Sequence, residues 1–180
     1  MREDDFIERL FIAHTHDYIL CFSNRGQVYW LKGYEVPAGT SSSRGKPIVN
    51  LFPLAEGERI SAVLPVKTFD ENHFVFMATA SGTVKKSPLS DFSRPREKGI
   101  IAVDLEEGDY LVGAAITDGR CDVMLFSDDG KAVRFAEDDV RPMGRGARGV
   151  RGMKLGEGSR VISVVVADAG EKSVLTATGT

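Results

Sequence analysis

Cysteine is nearly missing from this chain: Cys21 and Cys121 are the two in 180 residues, and no Cys-x-x-Cys spacing occurs. That excludes a disulfide scaffold and a zinc ribbon, and leaves both thiols as small core residues. Histidine is scarce as well, at three. His14 and His16 are read as two positions on one face of a strand, with no third ligand near them to make a metal site. No apolar run approaches the roughly 20 residues of a membrane-spanning helix, so no membrane partner is expected. The opening Met1-Arg2-Glu3-Asp4-Asp5 is acidic and lacks the cationic start and apolar stretch of a secretory leader. A cytoplasmic protein is the expectation. No Ser/His/Asp set, Cys/His pair or P-loop can be found, so an independent enzyme is not expected. Apolar residues at 42% and charged ones at 27% are the balance of a chain with a packed core rather than a disordered tail.

The net charge of −3 excludes a uniformly basic nucleic-acid binder, but the average hides a segregation. Three windows, residues 41–46, 85–98 and 131–154, hold fourteen of the 23 Lys and Arg residues and five of the 26 Asp and Glu. They carry a net +9, and the remaining 136 residues carry −12. Such a partition makes one electropositive surface on an acidic body, provided that the fold brings the windows together.

The chain repeats itself. Ile19-Leu-Cys-Phe-Ser-Asn-Arg-Gly-Gln-Val28, Val75-Phe-Met-Ala-Thr-Ala-Ser-Gly-Thr-Val84 and Val123-Met-Leu-Phe-Ser-Asp-Asp-Gly-Lys-Ala132 align as an apolar run, a turn ending in glycine and a second strand. The turn glycines Gly26, Gly82 and Gly130 are 56 and 48 residues apart. Each is followed by a second glycine (Gly45, Gly99, Gly149), an acidic turn around Gly57, Gly108 or Gly158, and another apolar strand. Short β-branched and aromatic runs between such turns read as hairpins, and no stretch carries a helical apolar period. Repeats are therefore expected over about residues 10–66, 74–116 and 122–167, with an incomplete fourth at 173–180. The fold class expected is all-β, a propeller-like array of four-stranded blades, three complete and a fourth begun. Equivalent loops then fall along the same edge, so the basic windows line one edge and the acidic turns another.

The strongest basic element is Arg141-Pro-Met-Gly-Arg-Gly-Ala-Arg-Gly-Val-Arg-Gly-Met-Lys154, five cations without an acid. Gly144-x-Gly146-x-x-Gly149 formally matches a dinucleotide fingerprint, but Gly152, Gly156 and Gly158 follow it where a helix would be needed. A Gly/Arg loop suits phosphates instead, because guanidinium groups and backbone amides approach them closely. Without a recognition helix or a base-stacking stripe, backbone contact to duplex DNA is the expected mode. The candidate DNA-binding residues are Arg44, Lys46, Lys85, Lys86, Arg94, Arg96, Lys98, Lys131, Arg134, Arg141, Arg145, Arg148 and Arg151. Six to eight phosphate contacts give a slope of log K against log salt of roughly −5 to −7. A protein-interaction propeller is the alternative, and no metal or catalytic residue is assigned.

Many separated segments, in order, resemble one family. They include Glu3-Asp-Asp-Phe-Ile-Glu-Arg-Leu10, Arg44-Gly-Lys-Pro-Ile-Val-Asn-Leu51, Glu58-Arg-Ile-Ser-Ala62, Gly82-Thr-Val-Lys-Lys86, Val123-Met-Leu-Phe-Ser127 and Gly149-Val-Arg-Gly152. The family is the C-terminal DNA-wrapping domain of the bacterial DNA gyrase A subunit, and the topoisomerase IV counterpart is the near alternative. The resemblance implies a β-pinwheel, a propeller variant whose neighbouring blades exchange strands. It implies non-sequence-specific binding and bending of duplex DNA around a basic rim, as an accessory to negative supercoiling by an ATP-dependent type II topoisomerase. It further implies partners in the rest of the gyrase A subunit, and in the gyrase B subunit of the holoenzyme heterotetramer. ATP and Mg²⁺ are then used elsewhere in the holoenzyme, and this chain carries no cofactor. The family's basic heptapeptide box, Gln-basic-Arg-Gly-Gly-basic-Gly, precedes the matching segment and is lacking here. Ser43-Arg-Gly-Lys-Pro47 is only a partial echo of it.

Overall fold

The computed structural model describes residues 7, 9–40, 43–167 and 174, among which there is no α-helix. The first repeat supplies β1 (Tyr18–Ser23), β2 (Gln27–Lys32) and β3 (Ile60–Val66). The second supplies β4 (Phe74–Thr79), β5 (Thr83–Pro88), β6 (Ile100–Ile101) and β7 (Leu111–Thr117). The third supplies β8 (Asp122–Ser127), β9 (Ala132–Ala136), β10 (Val150–Arg151) and β11 (Val161–Ala167). Three antiparallel sheets result, in the orders β3-β1-β2-β6, β10-β5-β4-β7 and β11-β8-β9.

The first two sheets each take their fourth strand from the following repeat, which is the exchange that the pinwheel resemblance implies. Both exchanges are fixed by the same hydrogen bonds. The Gly26 carbonyl accepts from the amides of Ala102 (2.8 Å) and Val103 (3.3 Å), and the Gly82 carbonyl accepts from those of Gly152 (2.8 Å) and Met153 (3.1 Å). Inner strands are tied in the same way, Leu111 N to Asn24 O and Val161 N to Ala80 O, both at 2.9 Å. Gly26 and Gly82 sit at φ +73° and +86°, and a Cβ there would stand 2.5 Å from Val103 O and 2.6 Å from Met153 O. Conformation and space both demand glycine at these turns. The third sheet has three strands among the described residues, one short of the four expected, because in this arrangement the outermost strand is donated from the next repeat. The fourth repeat expected at 173–180 lies outside the described residues apart from Val174.

Apolar layers lie between the sheets. Leu20, Phe22, Val28, Val75, Met77 and Phe92 fill the first interface, and Phe76, Val84, Val123, Leu125 and Val161 fill the second. With both faces covered, β1 and β4 are buried almost continuously instead of alternating. Burial does not alternate strictly along β2 either, where the adjacent Tyr29 and Trp30 are both at least half-buried. Tyr29 is buried against Phe52, and burial together with a 3.0 Å hydrogen bond to Glu58 pushes its phenol up to about 12. Trp30 is half-buried on the opposite face and donates its Nε1–H to Phe92 O at 2.8 Å. Cys21 lies in the same layer as Tyr29, and burial pushes its thiol up to about 12, as befits a core residue. His14 and His16 are not on a strand: they lie ahead of β1, where the Asp17 amide bonds the His14 carbonyl in a turn.

Candidate nucleic-acid interface

The basic loops take their position from the exchange itself. After β5 and β9 the chain makes a single 3-10 turn, Leu89–Phe92 or Glu137–Asp139, and then crosses to the outer strand of the preceding sheet. β6 pairs with β2 (Val28↔Ile100), and β10 pairs with β5 (Val84↔Val150). Gly99 and Gly149 make this crossing possible. A Cβ at Gly99 would stand 2.7 Å from the Tyr29 ring, and one at Gly149 would stand 2.5 Å from Val84 O. The second and third basic windows are thus laid along the outer strand of the preceding sheet, one blade back from their own repeats.

There the second and third windows meet. Arg94 and Arg96 from one loop and Arg145 and Gly146 from the other line a cavity of about 520 Å³, together with Ser90, Asp91 and Ser93. Three guanidinium groups, two hydroxyls and a glycine backbone can hold anionic oxygens, and one carboxylate is the countercharge. Lys98, Arg141 and Arg151 are exposed on the same two loops. Arg148 is exposed as well and engages Asp104 (Nε to Oδ2, 3.2 Å) and Glu106 (Nη1 to Oε1, 3.8 Å). These acids hold it loosely, because solvent screens all three. Arg44 and Lys46 are exposed on the first window, where Gly45 has open space around it and Ile48 and Val49 are exposed. None of the residues that line the cavity comes from that window.

Four candidate cations are placed elsewhere. Lys85 and Lys86 lie on β5 at 1% and 2% exposure, beyond the reach of a phosphate on the surface. Lys85 Nζ donates to Ala102 O at 2.7 Å and to Arg145 O. Lys86 Nζ donates to Glu137 O at 3.0 Å and stands 3.8 Å from Glu137 Oε1. Glu137, fully buried, accepts hydrogen bonds from Thr117 Oγ1 (2.8 Å) and the Cys121 amide (3.1 Å). Lys86 and Thr117 belong to the second repeat and Glu137 and Cys121 to the third, so this network joins two repeats. Lys131 bonds Asp129 at 2.5 Å, the interaction that chiefly brings Asp129 down to about 2. It sits at a hairpin tip, where the acidic turns close: Ser81 donates to Asp109 at 2.7 Å, and the Arg160 amide donates to Asp128 at 2.9 Å. Lys131 therefore belongs to the acidic edge. Arg134 lies on the open side of β9 and pairs with Asp122. The serines of the cavity were not among the residues singled out from sequence; their position next to Arg94 in the loop is the one signal that pointed to them.

Residues 17–67, 73–118 and 122–168 match, repeat by repeat, the family described as the DNA gyrase C-terminal domain, beta-propeller. The chain belongs to that family. It is 58% identical over 178 residues to the DNA gyrase A subunit of Klebsiella oxytoca and 54% identical over 178 residues to that of Escherichia coli K12. Each alignment covers 99% of this chain and 20% of the relative, so the chain spans about a fifth of the length of these proteins. Among solved structures, the C-terminal domain of DNA topoisomerase IV superposes with a TM-score of 0.80 at 29% identity, over 86% of this chain and 48% of that one. The DNA gyrase A C-terminal domain superposes at 0.69 and 31% identity, over 85% and 48%. The fold is shared by both, and the sequence lies with the gyrase relatives.

Proposed function

We propose that this chain is a DNA-binding accessory domain of a gyrase, gripping duplex DNA by its backbone along the outer edge of the blades. The observation that carries the reading is the cavity where Arg94, Arg96 and Arg145 converge from two successive repeats. Cations repeated along one edge follow a phosphate track without reading bases, so binding is tolerant of sequence and steep in salt. A curved edge that engages several phosphates bends the duplex, at an elastic cost of about 1–6 kcal/mol per 20–30 bp. Strand passage, ATP hydrolysis and Mg²⁺ belong to the rest of the gyrase A subunit, and to the gyrase B subunit, the partners in a cytoplasmic holoenzyme.

Three blades engage few phosphates, so binding outruns wrapping. Religation of nicked circles in the presence of the chain tests this. Retarded DNA is expected with a linking shift well below that from the complete C-terminal region of the Escherichia coli protein. A linking shift equal to the complete region's would refute the expectation.

A further inference from the structure

Lys85 is a charged group in an apolar place, and the loop around it explains why it is there. The third basic window leaves β5 at Pro142, which bridges to Lys86, while the Met143 amide bonds Lys86 O at 2.7 Å. It returns at Val150, paired with Val84. Residues 143–149 therefore arch over Lys85, which is 1% exposed. Inside the arch the ammonium donates to the carbonyl of Arg145 and, at 2.7 Å, to that of Ala102, just beyond β6. One side chain of the second repeat thus fastens the arch to the exchanged segment. The Arg145 whose backbone it holds is the one that lines the cavity with Arg94 and Arg96.

We propose that Lys85 is a positioning residue for DNA: its ammonium closes the arch and so presents Arg145, beside Arg94 and Arg96, to the phosphate backbone. The inference rests on the DNA-binding reading above. It also makes binding sensitive to pH. Burial brings the Lys85 ammonium down to about 8; Asp91, from the 3-10 turn after β5, and Asp104, beyond β6, favour the charge, and Arg145 in the arch opposes it. A phosphate at the cavity adds a negative neighbour, which favours the protonated lysine, so duplex and proton bind together. Affinity is fullest below pH 8 and falls as pH rises through it.

The test is fluorescence anisotropy with a random-sequence duplex of about two helical turns, at constant ionic strength, for the unaltered chain and for Lys85→Met. For the unaltered chain, Kd is expected to rise about two- to fivefold from pH 7 to pH 9, the range open to an upward shift of half to one pKa unit from about 8. Lys85→Met keeps the linear methylene stem; it is expected to retain the all-β circular dichroism spectrum, lose the pH dependence and show a salt slope shallower by about one. A defect confined to stability would leave the slope of the folded protein intact. An unaltered chain whose Kd is flat from pH 7 to 9 overturns the proposal even if the variant does not fold. A folded variant with the original slope and pH profile overturns it while leaving the DNA-binding reading in place. Failure of the unaltered chain to bind duplex at any salt overturns both.

Discussion

Replacing Lys86 by alanine is expected to cost about 3–5 kcal/mol of stability, because it strands a buried carboxylate. Glu137 is fully enclosed, and Lys86 is the cation beside it, 3.8 Å from Oε1. Thr117 and the Cys121 amide still donate to the carboxylate in the variant, but hydrogen bonds alone do not offset the desolvation of an ion. The midpoint of thermal unfolding should fall by roughly 10 °C in a chain of this length. Glu137→Gln keeps an acceptor for the Cys121 amide while removing the charge, so Lys86→Met combined with Glu137→Gln should be less damaging than the sum of the two single changes. Urea unfolding of all four proteins gives the coupling, expected at about 2 kcal/mol. Additive single effects would mean that the pair does not act as a unit joining the second and third repeats.

The largest functional effect is expected from reversing the three guanidinium groups of the cavity. Arg94, Arg96 and Arg145 are contributed by loops, and none of them fills an apolar layer. Arg94→Glu, Arg96→Glu and Arg145→Glu together should therefore leave the unfolding transition nearly unchanged. Duplex affinity in 0.1 M salt should fall by about 100-fold or more, since each phosphate left without its cation forgoes close to a tenfold gain from counterion release at that concentration. Reversing the cation of the acidic edge instead, by Lys131→Glu, should change affinity little. Equal losses per charge from either edge would point to bulk charge and not to a track.

The architecture was largely legible in the order of residues, because its determinants are local. Gly26, Gly82 and Gly130 announce the hairpins, and the alignment of repeats places β1 beside β4 and β8. The strand exchange was expected from resemblance alone, since no local signal assigns two-residue strands such as Ile100–Ile101 to the sheet of another repeat. The candidate site was legible where charge lies in loops and misread where it lies in strands. Lys85 and Lys86 look like surface cations because paired lysines are usually solvated. Yet they stand three and four residues beyond Gly82, as Tyr29 and Trp30 stand beyond Gly26. That equivalence was the available signal, and the hydrogen bonds follow it: Trp30 Nε1 and Lys86 Nζ each donate to a carbonyl in the 3-10 turn of the next repeat, Phe92 O at 2.8 Å and Glu137 O at 3.0 Å. Arg134 holds the corresponding place on β9 and is exposed, because no loop crosses that strand among the described residues. Burial here is decided by the neighbouring repeat, which a hairpin read alone does not contain.

The salt dependence of binding to random-sequence duplex bears most directly on the proposed phosphate track. With Lys85 and Lys86 withdrawn into the interior and Lys131 on the acidic edge, the loops can still reach about five or six phosphates, and log K should fall against log salt with a slope of about −5, alike for unrelated sequences. A slope near −1, or a strong preference among sequences of equal length, would contradict a basic edge that follows the DNA backbone.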